Sequence, residues 1–175
     1  MYEDIKGQWQ TDENGHAIMQ KVVECHSVNK AMLYDRAMNY FTCNYSDISS
    51  VILEKDQVNG IIIGEGVFKR VYHYNSVLKN ISVDTQYILK VEVRAGRAKI
   101  TLTLTQYDES VRGSEPSDVH YLYPIAKQYP FNSASYQKDM YMQAFDTSHL
   151  KTIETIASVE KALMEEDTQK NKDNW

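Results

Sequence analysis

The chain has 175 residues, 42% of them hydrophobic and 25% charged, with a net charge of −5; this is enough to bury one sizeable core in a single domain spanning residues 1–175. No apolar run approaches the roughly 20 residues of a membrane-spanning helix, and the opening "MYEDIKGQWQ" is too polar for a signal-peptide core. Basic residues outnumber acidic ones only in the middle, seven against three over residues 61–107, which falls short of the clustered charge of a nucleic-acid binder.

Asn14-Gly15 is a turn signal because both residues tolerate positive φ. "IMQKVVECH", Ile18 to His26, then reads as a strand with Val23 and Cys25 on one face and Glu24 and His26 on the other. Asn29 is placed to cap a helix through "KAMLYDRAMNYF", in which Leu33, Ala37, Met38 and Phe41 form one stripe, with Asn44 as its stop. "SSVILEK", Ser49 to Lys55, leads through a turn at Asp56 and Asn59-Gly60 into a returning strand.

That strand begins "NGIIIGEGVF", whose glycines invite a phosphate-loop reading. A Walker loop needs Lys and then Ser or Thr after its last glycine, whereas Gly66 precedes Val67 and Phe68. The dinucleotide fingerprint needs a third glycine where this chain has Lys69, and a helix where "VFKRVYHY" is β-like. Alternation instead sets Ile62, Gly64, Gly66 and Phe68 on one face, the glycines marking a bulge or a close approach of other atoms.

"QYILKVEVRAGRAKITLTLTQY" carries the strongest period. Tyr87, Leu89, Val91 and Val93 alternate with Ile88, Lys90, Glu92 and Arg94; after the Ala95-Gly96 turn, Ile100, Leu102 and Leu104 alternate with Lys99, Thr101, Thr103 and Thr105. This predicts an antiparallel hairpin with a dry face, covered by the helix after the first strand, and a wet face open to solvent or to a partner. Asp108 to His120 reads as a polar loop. The aromatic segment "YLYPIAKQYPF", with two prolines, is excluded from a central strand and is expected to strap over the body. "SYQKDMYMQAF" and "TSHLKTIETIASVEKALMEED" read as helical, the second capped by Thr147 or Ser148 with Leu150, Ile153, Ile156 or Ala157, and Leu163 on one side. Residues 168–175, ending in Trp175, read as a frayed tail.

The "DENG" turn, the capped helix, the hairpin "VILEKDQVNGIIIGEG" and the strand pair above together resemble a bacterial family of unknown function, found largely in Bacteroides-like bacteria and having a TATA-binding-protein-like fold. The likeness spans about Asn14 to Tyr107, with an echo in "YPIAKQYPF". It implies an α+β fold: an antiparallel sheet of about five strands in the order strand, helix, four strands, helix, with one face covered by helices. The core is then 14–107, followed by a linker and aromatic strap over 108–134 and a helical segment over 135–167. Secretion signals are common in that family, so the resemblance implies a periplasmic or extracellular location, with the cytoplasm left open. It brings no catalytic residue, and a fold name does not establish DNA binding.

Residue chemistry adds little. The histidines at 16, 26, 73, 120 and 149 lack zincin spacing, so no metal or cofactor is expected. Cys25-His26 is no nucleophile pair, because neighbours on a strand point to opposite faces. Glu165, Glu166 and Asp167 sit at a helix end and read as solvated. The 13 tyrosines are the compositional oddity; Tyr34, Tyr40 and Tyr45 are assigned to the helix–sheet boundary, and Tyr72 and Tyr74 to an exposed pair. The leading expectation is a non-enzymatic binding module of the cell envelope. Its face would comprise Lys90, Arg94, Arg97, Lys99, Thr101, Thr103, Tyr72 and Tyr74, and its partner a protein, a glycan or a small ligand. Nucleic-acid binding through the same face ranks second, because minor-groove saddles need denser basic and wedging side chains. An enzyme with a site not visible in the sequence ranks third.

Cys43 falls ~20 Å along the helix from Asn29 and Cys25 ~13 Å back along the strand, so the two are not expected to be bridged. A thiol assay on denatured, unreduced protein should find both cysteines free; a result of none would show a disulfide.

Overall fold

The alternation in residues 86–107 builds the centre of the molecule. In the computed structural model, which describes residues 6–45, 51–113 and 118–165, the central strands are β5 (Asn80–Arg94) and β6 (Arg97–Arg112). They pair antiparallel with Arg94 opposite Arg97 across the Ala95-Gly96 turn, where Gly96 takes φ +78°. Leu89, Val91, Ile100, Leu102 and Leu104 are fully buried on one face. Each such side chain contributes about 1.5–3 kcal/mol relative to exposure, so this face must be covered.

Five further strands flank that hairpin and complete a seven-stranded sheet. The remaining strands are β1 (Gln10–Thr11), β2 (Ala17–Glu24), β3 (Ile52–Asp56), β4 (Ile61–Asn75) and β7 (Val119–Pro124). The sheet order is β1-β2-β6-β5-β4-β3, and every pairing is antiparallel. β7 shares one edge of β6 with β2: β2 pairs residues 97–104 and β7 pairs residues 106–111. The expected sheet of about five strands is thus corrected to seven by the short β1 and by β7. Ser49, Ser50 and the tail at 168–175 lie outside the described residues.

Helix α1 (Lys30–Asn44) carries the chain from β2 on one side of the hairpin to β3 at the far edge. At 1.5 Å per residue its 15 residues span about 22 Å, close to the ~19 Å of four strand spacings. Asn29 caps it, its side chain accepting the Met32 N–H at 2.9 Å. The expected stripe faces the sheet: Leu33, Ala37 and Phe41 are fully buried and Met38 partly so. Tyr34, Tyr40 and Tyr45 do fill the boundary, and the Tyr45 hydroxyl lies 2.8 Å from that of Tyr87. Burial pushes both phenols above their ordinary range.

The glycines of β4 mark close approach, and the approaching atoms are aromatic. A Cβ at Gly64 would stand 2.6 Å from the Phe41 ring, and one at Gly66 would stand 2.4 Å from the Tyr87 ring. Tyr87 lies across Gly66 from the paired strand and stacks on Phe68 at 4.3 Å. Further along β4 a bulge between Phe68 and Tyr72 is held by Asp84, whose carboxylate accepts the Arg70 N–H at 2.7 Å and pairs with Lys69 at 2.8 Å. Arg70 sits there at φ +52°, a conformation that costs a non-glycine residue strain.

The C-terminal part departs most from expectation. Of the expected loop from Asp108 to His120, the first residues through Arg112 belong to β6 and the last two, from Val119, to β7, while residues 114–117 lie outside the described residues. Alternation does continue along that part of β6, with Tyr107 and Glu109 buried, but a buried carboxylate disguises the period. Glu109 accepts the Tyr141 hydroxyl at 2.9 Å. Only the second half of the aromatic segment acts as a strap; Ile125 is fully buried, and Phe131 packs edge-on against Phe145 at 5.3 Å.

The two expected helical pieces are one, α2 (Lys138–Met164). Ser148 is no cap; it is buried inside the helix, donating to the Ala144 carbonyl at 2.7 Å and meeting the Thr85 hydroxyl at 2.8 Å. Leu150 and Ile153 are 60% and 43% exposed, and the buried stripe runs instead through Tyr141, Phe145, Ser148, Thr152, Ile156, Val159 and Leu163. Ser148 is accommodated in the middle of that stripe because Thr85 opposite supplies a partner, whereas the buried Thr152 hydroxyl has none among the described residues. His149 is held neutral by burial, its Nδ1 accepting the Trp9 indole N–H at 2.9 Å. Cys25 is buried and Cys43 exposed, both as thiols.

Replacing Gly66 with Ala should lower stability by about 1–3 kcal/mol, the usual range for overpacking, because Tyr87 is pinned by Phe68 and Tyr45 and cannot yield. Urea unfolding would show this as a lower midpoint with an unchanged slope. An unchanged midpoint would mean that Tyr87 moves freely.

Candidate functional site

Both helices lie on one face of the sheet, and among the described residues the other face is uncovered. Strand pairing arranges that open face in rows. Gln20, Thr101 and Lys90 form one row, Val22, Lys99 and Glu92 the next, and Glu24, Arg97 and Arg94 the last, at the hairpin end. Six of the residues expected there, Lys90, Arg94, Arg97, Lys99, Thr101 and Thr103, are all on it and half-buried or exposed.

Tyr72 and Tyr74 are not. They pair with Val83 and Ile81, which belong to the helix-side face. The bulge adds two residues and so preserves parity, leaving the tyrosines on the side of Ile62 and Phe68. Tyr74 is 49% exposed because it stands near the end of β4, and exposure there does not join it to the basic residues.

The two ends of the open face differ electrostatically. At the end away from the β5–β6 turn three bases meet acids, Lys69 with Asp84, Arg112 with Asp118, and His120 with Asp108 at 2.9 Å, while the side chains of Arg70 and His73 there form no ion pair among the described residues. The hydrogen bond that His120 donates to Asp108, together with the Asp108 charge, raises the His120 pKa above its ordinary value. At the turn end Glu92 is engaged by Lys90 at 3.2 Å. Arg94 and Arg97, directly opposite one another, form no ion pair or hydrogen bond among the described residues. Like charges facing across a strand pair destabilise it.

Those two guanidiniums stand over a shallow hollow of about 220 Å³ lined by Val22, Glu92, Arg94, Arg97, Ala98 and Lys99. Three cations around an exposed Val22 can seat an anionic group with an apolar flank, the guanidiniums bonding a carboxylate or similar oxyanion in bidentate fashion. Sequence reasoning missed Val22 and the flanking Glu24. The parity of β2 already put Glu24 on a wet face, but that β2 pairs beside Lys99 and Arg97 follows only from the sheet order. Among the described residues no group of three or more His, Cys, Asp or Glu is gathered to hold a metal ion.

Residues 19–108 match the model of a domain of unknown function, DUF4468, with a TBP-like fold. Among solved structures the chain is similar to a TBP-like protein from Parabacteroides distasonis, with a TM-score of 0.67 and 10% identity over 88% of this chain and 96% of that one. It is also similar to a DUF4468 family protein from Bacteroides ovatus, with a TM-score of 0.60 and 16% identity over 93% of this chain and 94% of that one. At such identities the likeness concerns the fold alone. No protein with a curated description matches the chain.

Relief of the Arg94–Arg97 repulsion should be measurable. Arg94→Thr is expected to raise stability by about 0.2–0.5 kcal/mol at low ionic strength, and the gain should shrink at about 0.5 M salt, where the screening length falls to roughly 4 Å. Urea unfolding at two salt concentrations tests this. A loss of stability at both would show that the guanidinium makes a packing contribution instead.

Proposed function

Since the chain belongs to the family of domains of unknown function with a TBP-like fold, DUF4468, we propose that it is a non-enzymatic binding module that uses its open sheet face. The observation that carries this reading is the unpaired Arg94–Arg97 couple above the hollow beside Lys99 and Val22. Arg94 and Arg97 form no ion pair among the described residues, although Glu24 stands beside Arg97 in the register and Glu92 lines the hollow; an acidic partner group would relieve the repulsion between the two facing guanidiniums. The partner class that fits is an acidic, partly apolar protein surface or an acidic glycan. The site of action is the cell envelope or its exterior, which the family resemblance supports. No helix of the described residues is long and apolar enough to cross a membrane.

Nucleic acid fits this face less well. Glu24, Glu65, Asp84, Glu92 and Asp108 share it with the bases by register, and phosphate tracking needs a more continuous positive surface.

The test compares wild type with the triple variant Arg94→Glu, Arg97→Glu, Lys99→Glu in cross-linked capture from a Bacteroides envelope extract. A partner retained by wild type and lost by the variant at equal melting temperature is the expected result. Equal capture by both would overturn the reading. A duplex DNA probe titrated at about 50 and 200 mM salt provides the other arm; binding that falls by orders of magnitude across that range would indicate phosphate contacts and favour the nucleic-acid alternative.

A further inference from the structure

A second concavity lies on the helix-side face, where β6 and β7 meet the start of α2. It encloses about 270 Å³, and its walls differ in chemistry from the basic hollow. Glu109, only 6% exposed, forms part of it, with one carboxylate oxygen accepting the Tyr141 hydroxyl at 2.9 Å. Burial, and next the bond to Glu109, push the Tyr141 pKa far up, so this phenol remains a donor. Gln128, 8% exposed, lines the same space, and its buried Oε1 has no hydrogen-bond partner among the described residues; nor does the buried Oε1 of Gln137. A buried amide oxygen without a donor costs free energy. Turned into the concavity, these two amides beside a carboxylate offer acceptors to a donor-rich ligand.

The other walls are tyrosine rings. Tyr121 and Tyr123 lie nearly parallel, 18° apart with centroids at 6.3 Å, and Tyr136 stands exposed at the rim. Lys79 also lines the space. An isolated ammonium ligand would satisfy the acceptors but would be opposed by that lysine. Neutral hydroxyls donate to Glu109 and the amides, accept from Lys79, and come attached to a carbon ring with an apolar face suited to aromatic side chains.

We propose that this concavity is a saccharide subsite seating one pyranose unit, its hydroxyls on Glu109, Gln128 and Gln137 and its apolar face on the tyrosine wall. The site is separate from the basic face, on the opposite side of the sheet, and stands whether or not that face binds a partner. The structural alternative is that Glu109 serves only to tie α2 to β6 through Tyr141.

The experiment is a titration of amide NMR signals with four probes: methyl β-glucopyranoside, methyl α-mannopyranoside, methyl β-galactopyranoside and N-acetylglucosamine. Butylamine and glycine serve as charged competitors. At least one sugar should shift the amides of residues 109, 121, 123, 128 and 141 saturably. Glu109→Gln and Tyr121→Ala should each weaken that binding by roughly tenfold or more, equivalent to about 1.4 kcal/mol, with the melting temperature of Tyr121→Ala unchanged. If Glu109→Gln does not fold, Tyr121→Ala decides, because that ring is largely exposed. Failure of all four sugars to saturate, shifts confined to the open face, or saturation by butylamine or glycine alone would overturn the proposal.

Discussion

Burial of one face of the β5–β6 hairpin is the constraint on which the rest of the structure depends. Leu89, Val91, Ile100, Leu102 and Leu104 leave no surface to water, and a two-stranded ribbon cannot bury them alone. α1 can cover them because its length matches the distance from β2 to β3. α2 completes the cover, running about 40 Å at 1.5 Å per residue over its 27 residues. With both helices committed to that side, the opposite face is left uncovered among the described residues, its polar side chains sharing it with Ile18, Val22, Ile63 and Ile88.

The packing against α1 then dictates the composition of β4. Phe41 and Tyr87 need space where the strand passes beneath them, and Gly64 and Gly66 supply it. The same sheet sets the electrostatics of its two ends. Around β7 and the bulge, the acids Asp84, Asp108 and Asp118 are each matched to a base. At the β5–β6 turn the register brings Arg94 directly against Arg97, with Glu24 beside Arg97.

Tyrosine, the unusual feature of the composition, divides between two roles. Tyr34, Tyr40, Tyr45 and Tyr87 seal the junction of α1 with the sheet, their rings in the core and their hydroxyls at its margin. Tyr121, Tyr123, Tyr136 and Tyr141 gather where β7 meets α2, around a buried carboxylate and two unpartnered amides. In the first group the Tyr45 and Tyr87 hydroxyls satisfy one another. The second faces acceptors left without a partner among the described residues, and so marks a different kind of place.

The local patterns were enough to determine the Asn29 cap, the stripe of α1, the dry and wet faces of the β5–β6 hairpin and the glycine-bearing strand, because each follows from a period or a turn carried by neighbouring residues. The six basic and threonine positions on the open face were legible for the same reason: alternation assigns a side chain to a face without reference to any other strand. Tertiary structure alone decided the rest. Glu109 broke the apparent period because its burial depends on Tyr141, 32 residues away, and Ser148 sat in the core of α2 because Thr85 met it from β5. Alternation groups Tyr72 with Tyr74 but does not say which face they share, and pairing with Val83 and Ile81 puts them on the helix side rather than with the basic residues. The meeting of Val22 with Lys99, and of Glu109 with Gln128 and Gln137, required strand order and helix placement, which are set by contacts between segments distant in the chain and leave no local periodic trace.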